Sequence, residues 1–207
     1  PEFKHYPRIH KKDTKSIVAV EIHKELLTRK YAHEFNYDMV KNDTQHINNF
    51  RVLSDANQLN LTIIAKQIND AGNDYKTISL RNAYDLFLLS QRSTAKSAIA
   101  IFHKLYEPLN NFLAVCYEVM GKISSLEYTV TNKTTIYIQI FYKQLDDTAV
   151  MREKHQRKVA KKVLYRKRVE YIILIIIFKK EFRQWMLKRA TDKEWQQQLL
   201  KQIGLKK

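Results

Sequence analysis

Residues 102–130 read FHKLYEPLNNFLAVCYEVMGKISSLEYTV. Phe102, Leu105, Leu109, Phe112, Cys116, Val119, Ile123, Leu126 and Val130 follow one another at alternating steps of three and four. Apolar residues kept at that spacing line one face of a helix, and four heptads in register predict a coiled-coil seam. Pro108 lies within the stripe, and because the phase continues past it the expectation is a bend in a long helix rather than an end. Gly121 marks a second soft point.

The rest of the chain fits the same reading. Among 207 residues there are only three Gly and three Pro. Turn-rich β proteins and enzymes with Gly-rich phosphate loops need many more, because tight turns use positive φ angles and fixed bends. Few turns imply long elements, so the predicted class is all-α. Neither Gly nor Pro occurs from Ser16 to Ala71. Asp13 or Thr14 can cap the first helix. Leu27, Tyr31, Phe35 and Met39 recur every four residues, and Ile47, Phe50, Leu61, Ile64 and Ile68 continue with helical spacing. The polar stretch KNDTQHINN between them reads as a loop or a frayed segment. Turns are expected at 70–74, where Asn, Asp and Gly cluster, and at 129–135, TVTNKTT, with 143–147 as the alternative. Between the last two, TTIYIQIFY alternates like a strand, yet no other segment offers it a partner, so helix is preferred. Two turns divide the chain into three segments of about sixty residues, and helices of that length would extend about 90 Å at ~1.5 Å per residue. The predicted architecture is an elongated antiparallel three-helix coiled-coil bundle spanning 13–207. Residues 1–12 form a basic lead-in whose Pro1-Glu2-Phe3 resembles a cloning remnant.

The net charge is +16, and it is unevenly spread. From Met151 onward there are 18 basic and 5 acidic residues, so that region carries +13 of the total. Its densest part is 152–168, REKHQRKVAKKVLYRKR, followed by the apolar run YIILIIIF at 171–178. On a helix at 100° per residue, Lys154, Arg157, Lys158, Lys161, Lys162 and Arg168 share an arc of about 140°. Val159, Ala160, Val163 and Leu164 form the opposite, apolar side, with Arg152, Arg166 and Lys167 near its edges. A solvated helix face is the plain explanation of a charge run. Against it, the acidic partners that would lace such a face at i±4 are read as absent, and like charges repel. A polyanion-binding face is therefore the preferred reading.

Catalytic chemistry finds little support. His33-Glu34 begins like a zinc-protease motif, but Tyr37 stands where the second histidine belongs. The seven histidines show no ligand spacing, so no metal or cofactor is expected. Cys116, the single cysteine, lies on the apolar seam and reads as a small buried hydrophobe. It allows no internal disulfide and fits a reducing, intracellular and cytoplasmic setting, in which the Asn42, Asn60 and Asn132 sequons carry no weight. The acidic pairs Asp146-Asp147 and Asp70/Asp74 fall in expected turns, where capping accounts for them. An enzyme is not expected. No signal peptide is recognised, and YIILIIIF is far shorter than the ~20 apolar residues that span a bilayer.

Three antiparallel helices of similar length, a proline bend in the second and a positive face on the third resemble a BAR domain. That resemblance implies a crescent-shaped homodimer bound peripherally to anionic membranes, with Lys154, Arg157, Lys158, Lys161, Lys162 and Arg168 on the membrane face and a capacity to sense or induce curvature. A dimer is suggested separately by 171–178, which is apolar on every side of a helix and needs more cover than one stripe. Its seam would combine the 102–126 stripe with Tyr171, Ile175, Phe178, Phe182 and Trp185. Two other readings keep the same residues: a helical nucleic-acid-binding protein using the basic face on phosphates, and a coiled-coil adaptor docking an acidic protein. The single Tyr165 in the basic block and the lack of a known DNA- or RNA-binding motif count against nucleic acid.

Overall fold

Among the described residues, the Gly- and Pro-free stretch from Ser16 to Ala71 holds short elements separated by polar turns rather than one long helix. A computed structural model describes residues 9–10, 19–20, 26–27, 30–195 and 197. The expected cap at Asp13 or Thr14, the terminal Pro1-Glu2-Phe3 and the final piece beyond 197 lie outside the described residues. The chain divides into two compact units, residues 1–152 and 153–207.

In the first unit, β1 (Ile9–His10) pairs antiparallel with β2 (Ala19–Val20). After α1 (Tyr37–Val40), capped by the Asn36 side chain, comes a hairpin of β3 (Thr44–Ile47) and β4 (Phe50–Leu53). The helical spacing read through Ile47 and Phe50 is thereby corrected: the two face each other across a two-residue turn. Asn48 and Asn49 both adopt positive φ, 47° and 66°, and asparagine tolerates that region better than most residues. Asp43 ties the hairpin down, its Oδ2 accepting from Ser54 Oγ and Asn57 Nδ2, each at 2.7 Å. Likewise the four-residue recurrence from Leu27 to Phe35 is not a continuous helix. Residues 30–35 form turns that nonetheless bury Phe35.

Ser54 caps α2 (Asp55–Ile64), which runs on through a π-helical turn, Ala65–Asn69. The expected break at 70–74 is present but contains a single helical turn, α3 (Gly72–Tyr75), between Ala71 and Lys76, both in the left-handed region. Gly72 has a steric role here. A Cβ at that position would stand 2.7 Å from the Lys66 carbonyl oxygen and 3.1 Å from that of Thr77. Then follow α4 (Leu80–Ser90), α5 (Ala95–Ile99), α6 (Tyr106–Val119), a 3-10 turn at Ser124–Leu126 and α7 (Asn132–Asp146).

The core is built around α6. Every residue from Leu109 to Cys116 is buried, and a helix apolar on nearly all sides must be surrounded. The helices α2, α5 and α7 pack against it. Phe35, Leu59, Ile63, Leu86, Ile99 and Phe112 belong to one buried cluster with it. Burying a Phe or Leu side chain contributes about 1.5–3 kcal/mol. A smaller cluster joins Val115 to Tyr137 and Phe141. The Tyr137 hydroxyl lies 3.2 Å from both Gln67 Oε1 and the Gly72 carbonyl oxygen, and burial drives its phenol upward, keeping it a neutral donor.

The chain is mostly helical, as composition implied. The three sixty-residue helices, however, do not occur among the described residues, whose longest helix has 30. The 102–130 stripe is not one helix. Pro108 sits in the first turn of α6, where its missing N–H has no intrahelical acceptor to lose, so the helix starts there rather than bends. At the other end Gly121, at φ 86°, takes the left-handed position, and Lys122 N donates to the Tyr117 carbonyl at 2.7 Å. That 6→1 bond is a Schellman closure, a helix stop. By contrast, TTIYIQIFY is helical within α7, begun by a reciprocal Thr131–Thr134 capping box. Of the expected turn at 129–135, residues 129–131 precede that helix and 132–135 lie within it, while in the alternative at 143–147 only Asp147 leaves helical geometry.

A carboxylate from far upstream fixes the entry into α6. Glu34, 7% exposed, accepts at Oε2 from His103 N (3.0 Å) and Leu105 N (2.9 Å). Replacing Glu34 by Ala leaves buried backbone donors without acceptors, and is expected to cost about 1–3 kcal/mol, read as a lower urea midpoint. Gly72→Ala is expected to cost a similar ~1–3 kcal/mol, because backbone oxygens rather than flexible side chains crowd the new methyl group. A midpoint unchanged in either variant would contradict the corresponding contact.

Candidate polyanion-binding surface

No Gly or Pro interrupts the chain from Lys122 to Ile203, and α8 (Ala149–Phe178) is the longest helix described. Its first half is rich in Lys, Arg, Gln, Glu and Ala, all good helix formers. The Thr148 hydroxyl accepts from Met151 N at 3.3 Å at its start. At its end Lys179 leaves helical geometry, and the Arg183 guanidinium donates to the freed Ile177 carbonyl. A new helix, α9 (Lys180–Ala190), begins there.

Lys154, Arg157, Lys158, Lys161, Lys162 and Arg168 are all exposed. The covered side of this stretch is narrower than the sequence suggested. Val163 is buried, His155 and Val159 are half-buried, and these three recur at i, i+4 and i+8. Ala160 and Leu164, assigned to the apolar side, are exposed, Leu164 by 52%. The cations are therefore centred away from the covered stripe. Another correction concerns counter-charges: Glu153 pairs with Arg157 at 2.6 Å, four residues on. An exposed pair of this kind contributes only about 0.3–0.5 kcal/mol. Among the described residues, Arg157 is the one member of the six in an ion pair. The remaining five are held close along one face, so the local potential is strongly positive and favours a multivalent anion.

The two halves of the expected seam have different fates. Phe102, Leu105, Leu109, Phe112, Cys116 and Leu126 are buried inside one chain and need no second subunit for cover. Val119, the last residue of α6, is at the surface, and Ile123, beyond the end of that helix, is half-buried. In the other half, Ile175 and Phe182 are half-buried whereas Tyr171, Phe178 and Trp185 are exposed by 65%, 74% and 46%. Ile172, Ile173 and Ile177 are exposed beside them. Periodicity could not assign these isoleucines a role, since a run apolar on all sides has no preferred face.

Elsewhere the described residues offer little reactive chemistry. They contain no group of three or more His, Cys, Asp or Glu able to hold a metal ion. Burial pushes the Cys116 thiol well up, away from the thiolate that a nucleophile requires. An open pocket of about 390 Å³ is lined by Tyr106, Glu107, Asn110, Thr131, Asn132 and Lys133. Its charges pair with each other, Lys133 with Glu107, and the Asn110 amide is used by the Thr129 backbone on both its atoms. No helix among the described residues is long and apolar enough to cross a membrane. No protein-family model, curated protein or solved structure matches this chain.

A thiol reagent such as DTNB is expected to leave Cys116 unmodified at pH 8 in the native protein and to label it fully in denaturant. Rapid native labelling would show that α6 is accessible, contrary to its burial.

Proposed function

We propose that the chain is a non-catalytic, peripheral membrane-associated protein that binds anionic phospholipid surfaces through the basic face of α8. The observation that carries this reading is the exposure of Lys154, Arg157, Lys158, Lys161, Lys162 and Arg168 on one helix face, outside its covered stripe. Each Lys or Arg near an anionic surface is worth about 1 kcal/mol, so six supply roughly 3–6 kcal/mol after allowance for geometry. Reversible recruitment to a cytoplasmic leaflet needs no more. A second copy would present the face twice and increase avidity, but one face suffices for the reading. Curvature sensing of the BAR kind calls for long paired helices; the proposal rests on the charged face and not on a crescent.

Reversing Lys158, Lys161 and Lys162 to Glu is expected to weaken co-sedimentation with vesicles containing phosphatidylserine about 100-fold or more, with the far-UV circular dichroism unchanged. The estimate takes roughly 3 kcal/mol for three lost cations. Sedimentation equal to wild type would overturn the proposal. Tight, steeply salt-dependent gel shifts with an oligonucleotide, combined with no vesicle binding, would transfer the same face to nucleic acid.

A further inference from the structure

The cationic face of α8 does not stop at the last cation. Lys158, Lys161, Tyr165, Arg168, Ile172 and Ile175 follow one another at steps of three and four, within about 100° of the helix circumference. Tyr165 is 72% exposed and Ile172 44% exposed. Beyond them Ile173, Ile177 and Phe178 are uncovered at the point where α8 gives way to α9. Just past that corner Phe182 stacks on Trp185 at 5.5 Å, Trp195 meets Trp185 edge-on at 6.3 Å, and the Arg189 guanidinium lies 5.8 Å from the Trp185 ring. Lys179 and Lys180 are exposed at the corner itself.

A face that passes from cations through an aromatic ring to aliphatic side chains matches a partner that is anionic outside and apolar a short distance within. We infer that the α8–α9 corner is an insertion wedge that enters the headgroup–acyl boundary of an anionic bilayer while the cations upstream remain on the phosphates. This rests on the lipid-binding reading of α8 and adds to it where the protein is anchored. From Lys158 to Ile175 the helix rises about 25 Å, so a tilt of about 20° lowers the isoleucine end by about 9 Å. Interfacial helices reach about that depth, 5–10 Å. Tryptophan and tyrosine beside cations are the residues that settle at such a boundary. Nucleic acid uses the cations but gains nothing from Ile172, Ile173 and Ile177, which have no π-face on which a base could stack.

The chain has two tryptophans, Trp185 and Trp195, and both belong to this region, so tryptophan emission, excited selectively over tyrosine, reports on it alone. The full chain is mixed with phosphatidylcholine–phosphatidylserine vesicles whose acyl chains are brominated near the headgroup. Insertion predicts a blue shift, quenching of at least one-third of the emission, and a bound fraction that persists in 0.5 M NaCl. The Ile173→Asp/Phe178→Asp double variant is expected to lose the quenching and the salt-resistant fraction yet still bind at low salt through its cations. Its circular dichroism is checked against wild type. Charge-dependent binding without quenching would overturn the wedge and leave the electrostatic reading standing. Absence of vesicle binding would remove both. Light scattering that finds a lipid-free dimer, made monomeric by the double variant, would assign the corner to a second copy and overturn insertion.

Discussion

The burial of eight consecutive residues, Leu109–Cys116, is the constraint on which the first unit depends. A helix with no solvent face cannot stabilise itself by amphipathic packing on one side, so α2, α5 and α7 must enclose it. The enclosure then dictates where polar groups can go. Asn110 is buried on α6, and its amide bonds to both the N–H and the carbonyl of Thr129, as a neighbouring strand would. Those two bonds hold the segment that leads into the capping box of α7. Glu34 does the corresponding work at the other end, closing the backbone before α6 from some seventy residues away. Polar side chains in this core thus act as fasteners for irregular backbone, which is where unpaired donors would otherwise be most costly.

The second unit is organised differently. Most of the α8 circumference is exposed, and only the narrow His155–Val159–Val163 stripe is covered over the cationic stretch. Its character comes from charge and from apolar side chains left in water. Clustered cations weaken the helix by mutual repulsion, and uncovered isoleucines gain nothing from the hydrophobic effect. Both costs are offset when an anionic, partly apolar surface is in contact, which gives the proposed association its driving force.

Several features were legible because they follow from local chemistry. The scarcity of Gly and Pro signalled a helical chain. The lack of a partner strand made TTIYIQIFY a helix, and Cys116 read as buried from its neighbours alone. Other features were hidden for identifiable reasons. The stripe from Phe102 to Val130 keeps its spacing across the end of α6, but past the Schellman closure at Gly121 Leu126 returns to the core in a 3-10 turn, whereas Ile123 is half-buried and Val130 is exposed. Spacing cannot distinguish that from a continuous seam. The hairpin at Thr44–Leu53 was obscured because Asn48-Asn49 lacks the glycine that usually announces such a turn. The pairing of Glu34 with residues 103–105 has no sequence signal at all, since nothing local records which distant carboxylate will arrive.

By itself, then, the sequence determined the helical class, the asymmetry of charge, and the angular segregation of Lys154, Arg157, Lys158, Lys161, Lys162 and Arg168, because composition and a 100° period are properties of neighbours along the chain. Only the tertiary structure decided which apolar stripes are interior and which remain in water. Phe112 and Ile172 are equally apolar, yet one is fully buried and the other 44% exposed. Burial depends on what packs from elsewhere in the chain, and long-range contacts, unlike helical period, are not written in the spacing of the residues that make them.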